Sequence, residues 1–429
     1  MFESLFKLKE HGTNVRTEIL AGLTTFLTMA YIIFVNPKIL GTTGMDSGAI
    51  FVATCLAAAV GSFIMAFLAN WPIGMAPGMG LNAFFAFVVV GALGYTWQQA
   101  LAAVFISGII FLILTATGIR QWLIDGIPAS LRSSIVAGIG LFLAFIGLQT
   151  SGVVVDNPAT LTSHGDLKSA SVLYAILGFF IIVVLDVLRV KGAILIGILS
   201  ITILSIITGH TTTPDSILSM PPSVAPTFLQ LDLAGIWEKG LLNVVLVFVL
   251  VEIFDATGTM IGVAKRANLM PVGQPNRLGK ALFADSIAIL AGSLIGTSST
   301  TAYVESTAGV QAGGRTGLTA LVVGVLFLLA LFFSPVAGIV PAYATAPALV
   351  YVAILMLREL TEVNWQDMTD VVPSAITVIL MPFTYSIAEG IAFGFISYVI
   401  LKTFTGRIRE IHPATVIIAL LFILRFVIA

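Results

Sequence analysis

The sequence predicts an all-α polytopic membrane protein, and three observations carry that prediction. Of 429 residues, 58% are hydrophobic and only 10% charged, with a mean hydropathy of +1.07. Ordinary globular domains carry about 25% charged residues. Apolar runs repeat from Thr17 to Ala429, and a bilayer-spanning helix needs about 20 apolar residues. The basic residues then fall in alternate loops between those runs. A net charge of −1 speaks against a nucleic-acid partner. The one cysteine, Cys55, lies in an apolar run, which excludes a disulfide within the chain. The opening M-F-E-S-L-F-K-L-K-E lacks the apolar region of a cleaved signal peptide. It reads as a short amphipathic lead-in lying on the inner membrane face.

The apolar segments run at about 17–39, 48–69, 78–92, 97–118, 130–149, 171–188 and 192–209. A polar, proline-rich connector, His210 to Glu238, follows. The second series runs at about 240–263, 279–296, 303–313, 317–339, 343–358, 371–386 and 388–404. A last run, 413–428, is either an extra span or an interfacial helix. The domain plan is therefore a first repeat over 1–209, an outer connector over 210–239, a second repeat over 240–404 and a tail over 405–429.

Charge sets the orientation. With the N-terminus cytoplasmic, sixteen basic residues lie inside: Lys7, Lys9, Arg16, Arg120, Arg132, Arg189, Lys191, Lys265, Arg266, Arg277, Lys280, Arg315, Arg358, Lys402, Arg407 and Arg409. Only Lys38, Lys168 and Lys239 lie outside, and Arg425 in the final run is unassigned. Cytoplasmic loops carry an excess of Lys and Arg, so the bias supports both the orientation and the segment count. It places a multi-pass chain in the plasma (inner) membrane.

Seven is odd, so the second half starts on the opposite face from the first. Two such halves are candidates for inverted repeats, a plan common among transporters. Both halves break their helical pattern at the third segment. Segment 3 reads P-I-G-M-A-P-G-M-G-L-N-A-F-F-A-F. Segment 10 lies in Gly296 to Gly317, G-T-S-S-T-T-A-Y-V-E-S-T-A-G-V-Q-A-G-G-R-T-G. Thr and Ser run from Thr297 to Thr301, and the acid Glu305 follows. Irregular polar backbone at membrane depth survives only inside protein or along a water-filled cavity. Short, interrupted segments in matching positions are the sequence pointer to a binding site.

Four acids lie inside second-half segments: Glu252 and Asp255 in V-E-I-F-D-A-T-G-T-M, Asp285 in A-D-S-I-A-I-L, and Glu305. Glu252 and Asp255 are three residues apart and share a helix face. One of the two binds substrate or a proton, and the other ties helices together. Every Lys and Arg except Arg425 falls near a membrane surface, so these acids are expected to lack a basic partner at mid-depth. Desolvation favours the neutral form of an ionisable group, which makes such acids candidate proton carriers. The four histidines lie elsewhere. Asp186 and Glu18, near segment ends, read as interfacial, and Glu389 reads as an acid favoured at a helix start. Asn82 of segment 3 both donates and accepts, so it can read the edge of a planar heterocycle. Phe84 can stack on such a ring or serve as a core residue.

These motifs together carry a resemblance. P-G-M-G-L-N-A-F-F at 77–85, V-E-I-F-D-A-T-G-T-M at 251–260, and T-T-A-Y-V-E-S-T-A-G-V with G-G-R-T-G at 300–317 resemble the nucleobase–ascorbate transporters. Together with A-G-L-T-T-F-L-T-M-A-Y-I-I-F-V-N-P at 21–37, they are most similar to the hypoxanthine–adenine–guanine (AzgA-like) permease branch. The resemblance covers essentially the whole chain. It implies fourteen transmembrane segments in a seven-plus-seven inverted repeat, with short strands in segments 3 and 10. A core domain (segments 1–4 and 8–11) would move against a gate domain (5–7 and 12–14).

The resemblance also implies a purine nucleobase held between segments 3 and 10 and imported with a proton; sodium is the less favoured coupling ion. The resemblance maps the base contacts onto Asn82, Glu252 or Asp255, and Glu305, and the residues themselves add Phe84 and Ser306 as candidates for substrate binding. The unpaired acids Asp255, Asp285 and Glu305 are the candidates for proton coupling. Ser306 stands where uracil and xanthine members carry Asn, which points to adenine, guanine or hypoxanthine. No cofactor or metal is implied, and a homodimer is compatible with the plan. The alternative is an anion exchanger or channel of the same general fold. A channel would show uptake insensitive to proton uncouplers. An enzyme is disfavoured, since no metal-ligand cluster, nucleophile motif or phosphate loop stands in the sequence.

Overall fold

The computed structural model describes residues 2–214, 216–235, 242–267, 269 and 277–428. Lys239 of the outer basic set lies outside these residues, and Lys265 and Arg266 are described in backbone only. Among the described residues, ten helical stretches are long and apolar enough to cross a bilayer. Four further apolar helices are shorter: Met79–Ala92, Ala193–Ile207, Met368–Phe383 and Pro413–Val427. The chain is thus a mostly helical, multi-pass membrane protein.

The helices, in chain order, are α1 (Phe2–Phe6), α2 (Val15–Met29), α3 (Ile32–Gly41), α4 (Ser47–Ile64), α5 (Met79–Ala83), α6 (Trp97–Ala116), α7 (Ile119–Gly126) and α8 (Ala129–Thr150). Then come α9 (Ala170–Val187), α10 (Ala193–Ile207), α11 (Leu242–Arg266), α12 (Leu278–Ile295), α13 (Ser306–Gln311), α14 (Gly317–Ala330), α15 (Ser334–Ile339), α16 (Ala342–Leu357), α17 (Met368–Phe383), α18 (Ile387–Phe404) and α19 (Pro413–Ile428). Side-chain caps start several of them. Asn14 Oδ1 accepts from Thr17 N, Asp46 Oδ1 from Ala49 N, and Thr96 with Gln99 closes a capping box. Such caps satisfy N–H groups that a helix start leaves free.

Two two-stranded sheets interrupt this pattern. Strand β1 (Met75–Pro77) pairs antiparallel with β4 (Thr300–Ala302), linking the two halves of the chain. Strands β2 (Val154–Asn157) and β3 (Leu161–His164) form a hairpin in the loop after α8, where the sequence shows no strand signal. The helix carrying α5 continues as a π-helix over Phe84–Ala92.

Close packing falls into two groups. In one, α12 lies against α4 and α6, and α14 against α2 and α4. In the other, α8 lies against α16 and α17, α17 against α18, and α9 and α10 against α16. Glycines make the second group possible. A Cβ on Gly138 would stand 2.5 Å from Met381 Sδ, and one on Gly140 would stand 2.7 Å from Met356 Cβ. Small residues let membrane helices approach until their backbones nearly touch.

One expectation needs correction. Glu18 is not interfacial but fully buried, and its carboxylate accepts from Arg315 N (2.8 Å), Thr319 N (3.2 Å) and Thr319 Oγ1 (2.6 Å). It thereby satisfies the start of α14. The N-terminal lead-in is docked into protein, with Phe6 and Leu8 buried against Ala66, Leu318 and Ala320. Glu389 stands in the first turn of α18, as expected, and there accepts from Arg425 Nη2 at 2.9 Å. That ion pair and a Phe393–Phe426 ring contact fasten α19 along α18, while Thr415 Oγ1 donates to Gly126 O at its other end.

At one end of α17 and α18, charges form a network. Lys402 Nζ lies 2.9 Å from Glu410 Oε2, 3.5 Å from Asp370 Oδ1 and 3.6 Å from Asp367 Oδ2. Arg407 joins Asp367 at 2.5 Å and Glu410 at 2.7 Å. Hydrogen bonds from Thr369 and then Arg407 hold the Asp367 carboxyl well below the usual carboxylate range. A depressed carboxyl pKa adds stability above the unfolded-state value, and that stability is lost as pH falls through the folded-state value. Asp367→Asn should therefore lower the thermal midpoint in detergent at pH 7, and the gap to wild type should narrow below about pH 4. An equal gap at both pH values would show that Asp367 acts through packing alone.

Candidate functional site

The site is built on the β1–β4 ladder. Its register pairs Met75 with Ala302, Ala76 with Thr301 and Pro77 with Thr300. β-Branched threonines favour extended backbone, and Pro77 ends its strand without an N–H to satisfy. Three further bonds lock the crossing. Gly78 N donates to Ser299 O (2.8 Å), Tyr303 Oη to Pro77 O (2.6 Å), and Gly74 N to Ser306 Oγ (3.0 Å). Each strand leads at once into a short helix, α5 after β1 and α13 after β4. Asn36, in α3, pins the start of the second break by donating to Thr297 Oγ1 (3.0 Å) and Thr54 Oγ1 (2.8 Å).

The six residues expected to bind substrate do not stand alike. Glu305 is partly exposed, and its Oε1 accepts from Tyr31 Oη at 2.7 Å. Asp255 is also partly exposed and makes no hydrogen bond or ion pair among the described residues. Its Oδ2 lies 3.6 Å from where a Cβ on Gly78 would stand, so the glycine leaves the carboxylate a clear face. The two carboxylates lie within electrostatic reach of each other, and Tyr31 and Tyr303 face both. Asn82 is fully buried, with Oδ1 accepting from Ser298 Oγ (2.7 Å) and Nδ2 directed at Pro77 O (3.4 Å). Its amide serves the ladder. Phe84 is buried edge-on against Phe248, with ring centroids 5.0 Å apart, and Ser306 is committed to Gly74 N.

Glu252 has different surroundings from Asp255. It is fully buried, and Oε1 accepts from Ser107 Oγ of α6 at 3.3 Å. Its Oε2 has no hydrogen-bond partner; Ser299 lies beside the carboxylate without closing a bond of good geometry. One helix face thus carries two acids with different surroundings, Asp255 toward Gly78 and Glu252 toward α6.

The expectation that the acids lack a cation fails at Asp285. Arg120 Nη2 lies 3.2 Å from Asp285 Oδ2, and both side chains are buried. The sequence map put Arg120 in a surface loop. Gly118, at φ +76°, turns the chain into α7 so that the long side chain reaches back inward. Tyr31 and Tyr303 were also missed, although both lie in the quoted motifs, because a tyrosine in an apolar run reads as core. Tight contact of α13 with α2 holds Glu305 against Tyr31: a Cβ on Gly309 would meet Ala21 O at 2.6 Å. Among the described residues, no His, Cys, Asp and Glu side chains group to hold a metal ion.

Comparison with known proteins places this geometry. Residues 16–393 match the family model described as Permease family. The adenine permease AdeP of Escherichia coli (strain K12) is 54% identical over 428 residues, covering 100% of this chain and 96% of that protein. The guanine/hypoxanthine permease PbuG of Bacillus subtilis (strain 168) is 46% identical over 436 residues, covering 99% of each. Among solved structures, the transmembrane domain of the cyanobacterium bicarbonate transporter BicA aligns with a TM-score of 0.66 at 14% identity, over 89% of this chain and 97% of that one. At that identity the likeness is one of fold.

Ser306→Ala removes the acceptor for a buried backbone N–H in the ladder. The loss should cost about 1–3 kcal/mol and appear as a lower thermal midpoint in detergent. An unchanged midpoint would mean that Gly74 N finds another acceptor.

Proposed function

The chain belongs to the Permease family, in the purine branch of the nucleobase–ascorbate transporters, and on that premise we propose that it carries adenine, hypoxanthine or guanine across the membrane. One observation supports this most: Asp255, beside Gly78 and unpaired among the described residues, lies within electrostatic reach of Glu305, which Tyr31 holds. A purine offers ring N–H donors in a plane. Carboxylates accept such donors in charge-assisted bonds, roughly twice as strong as neutral ones. Neither Asp255 nor Glu305 has a basic partner among the described residues, which disfavours an anion as cargo. The adenine permease AdeP and the guanine/hypoxanthine permease PbuG, as relatives, support purines over other nucleobases.

In this reading the transport cycle is alternating access. The fourteen segments form two inverted seven-segment repeats. The packing group of α2, α4, α6, α12 and α14 is the core that carries the purine, and the group of α8 to α10 and α16 to α18 is the gate. Import runs into the cytoplasm, where the N-terminus lies. A co-transported proton neutralises Asp255, because an uncompensated charge resists transfer through a low-dielectric barrier. Asp285 leaves the list of proton carriers, since Arg120 already compensates its charge. Asn82 and Ser306 shape the ladder, Phe84 packs behind it, and Glu252 ties α11 to α6.

Uptake of labelled adenine and hypoxanthine, in cells lacking their own purine permeases, tests this assignment. Glu305→Gln and Asp255→Asn should weaken purine affinity about 10- to 100-fold, the worth of a hydrogen bond to a charged group. Glu252→Gln should keep the wild-type affinity. The reverse pattern, with Glu252→Gln impaired and Asp255→Asn normal, would move the site to the other acid. Uptake should collapse when an uncoupler dissipates the proton gradient; uncoupler-resistant accumulation would contradict proton symport.

A further inference from the structure

Helix α7 is the only stretch of chain between α6 and α8, and so joins the first packing group to the second. Its Arg120 is 1% exposed and spends its guanidinium on four acceptors from three elements. Nη2 reaches Asp285 Oδ2 (3.2 Å) and Thr257 Oγ1 (3.4 Å); Nη1 reaches Leu282 O (3.0 Å) and Thr115 Oγ1 (3.4 Å). The guanidinium carbon also lies 3.8 Å above the Phe111 ring centroid. A planar fork can hold such a set in one orientation; a lysine cannot.

Asp285 faces two ways. Beyond the bond to Arg120, its Oδ1 accepts from Thr301 Oγ1 at 3.1 Å. Thr301 lies in β4, and Glu305 stands three residues beyond that strand's last residue, Ala302. A continuous run of bonds therefore leads from the connecting helix, through Arg120 and Asp285, to the strand that presents Glu305. We propose that Arg120 is a positioning residue for the purine site: through Asp285 it sets the placement of β4, and it links that placement to the helix joining the two packing groups. The proposal rests on the purine reading above. Arg120 contacts none of the residues assigned to the purine, so it acts through its partners, Asp285 foremost and Thr257 of α11 beside it.

Breaking one side of a buried ion pair strands the other charge, and residues acting as a unit show non-additive losses. The test is initial-rate uptake of labelled adenine and hypoxanthine by the full-length chain at matched membrane levels. Arg120→Met and Asp285→Asn should each raise KM at least tenfold. The Arg120→Met/Asp285→Asn double variant should be no worse than the worse single one. Arg120→Lys should fall between wild type and Arg120→Met. A scaffold role alone would lower the folded amount and the maximal rate but leave KM unmoved. Wild-type KM in folded Arg120→Met, or fold-changes that multiply in the double variant, would overturn the proposal. Should Arg120→Met fail to fold, an unchanged KM in Arg120→Lys overturns it equally. A wild-type chain without purine uptake overturns the functional reading itself, whereas normal wild-type uptake with unmoved variants overturns only the role of Arg120.

Discussion

Backbone N–H and C=O groups freed in the middle of a membrane must find partners inside the protein, and here two breaks in the helical fold satisfy each other. Met75–Pro77 and Thr300–Ala302 exchange ladder bonds across the two halves of the chain. Much of the remaining local design serves that junction. Asn82, Ser298, Ser299, Tyr303 and Ser306 all spend polar groups on it. Asn36 fixes the residue where the second break begins, and Asp285 fixes the strand itself. The result is irregular backbone that carries Glu305 within electrostatic reach of Asp255 on α11.

What separates the buried acids is their partners. Glu18 is satisfied by three backbone N–H groups and a hydroxyl at a helix start, and its work is structural. Asp285 is paired with Arg120 and bonded to a strand, so it transmits position. Glu252 has one hydroxyl and an unpartnered oxygen. Among the described residues, Asp255 has no partner and the Glu305 carboxylate has one, the Tyr31 phenol. Keeping a carboxylate unpaired inside a membrane protein is costly. A ligand that supplies the missing donors converts that cost into affinity.

Much of this was legible before any coordinates. Apolar runs of span length gave the class, since bilayer thickness sets helix length. The Thr and Ser run before Glu305 marked a break because such polarity has no place facing lipid. The limits are equally physical. Hydropathy assigns a residue to a depth by its backbone position, yet Arg120 projects from a turn back toward Asp285, and long basic side chains move their charge far from their Cα. Glu18 looked interfacial because nothing in its neighbourhood names residues 315–319, about three hundred positions away, as its partners. The hairpin Val154–His164 was hidden in a loop too short and mixed to show alternation. Tyr31 escaped notice since an aromatic in an apolar run is ordinarily core, and only its contact with Glu305 gives it a role.

The central claim is that the purine sits at the β1–β4 crossing and is held by Asp255 and Glu305. A structure of the protein with adenine or hypoxanthine bound tests it most directly. The account predicts ring density beside Gly78, with purine nitrogens about 3 Å from both carboxylates. Density in another cavity, or at the crossing but against Glu252 and out of reach of Asp255, would contradict it.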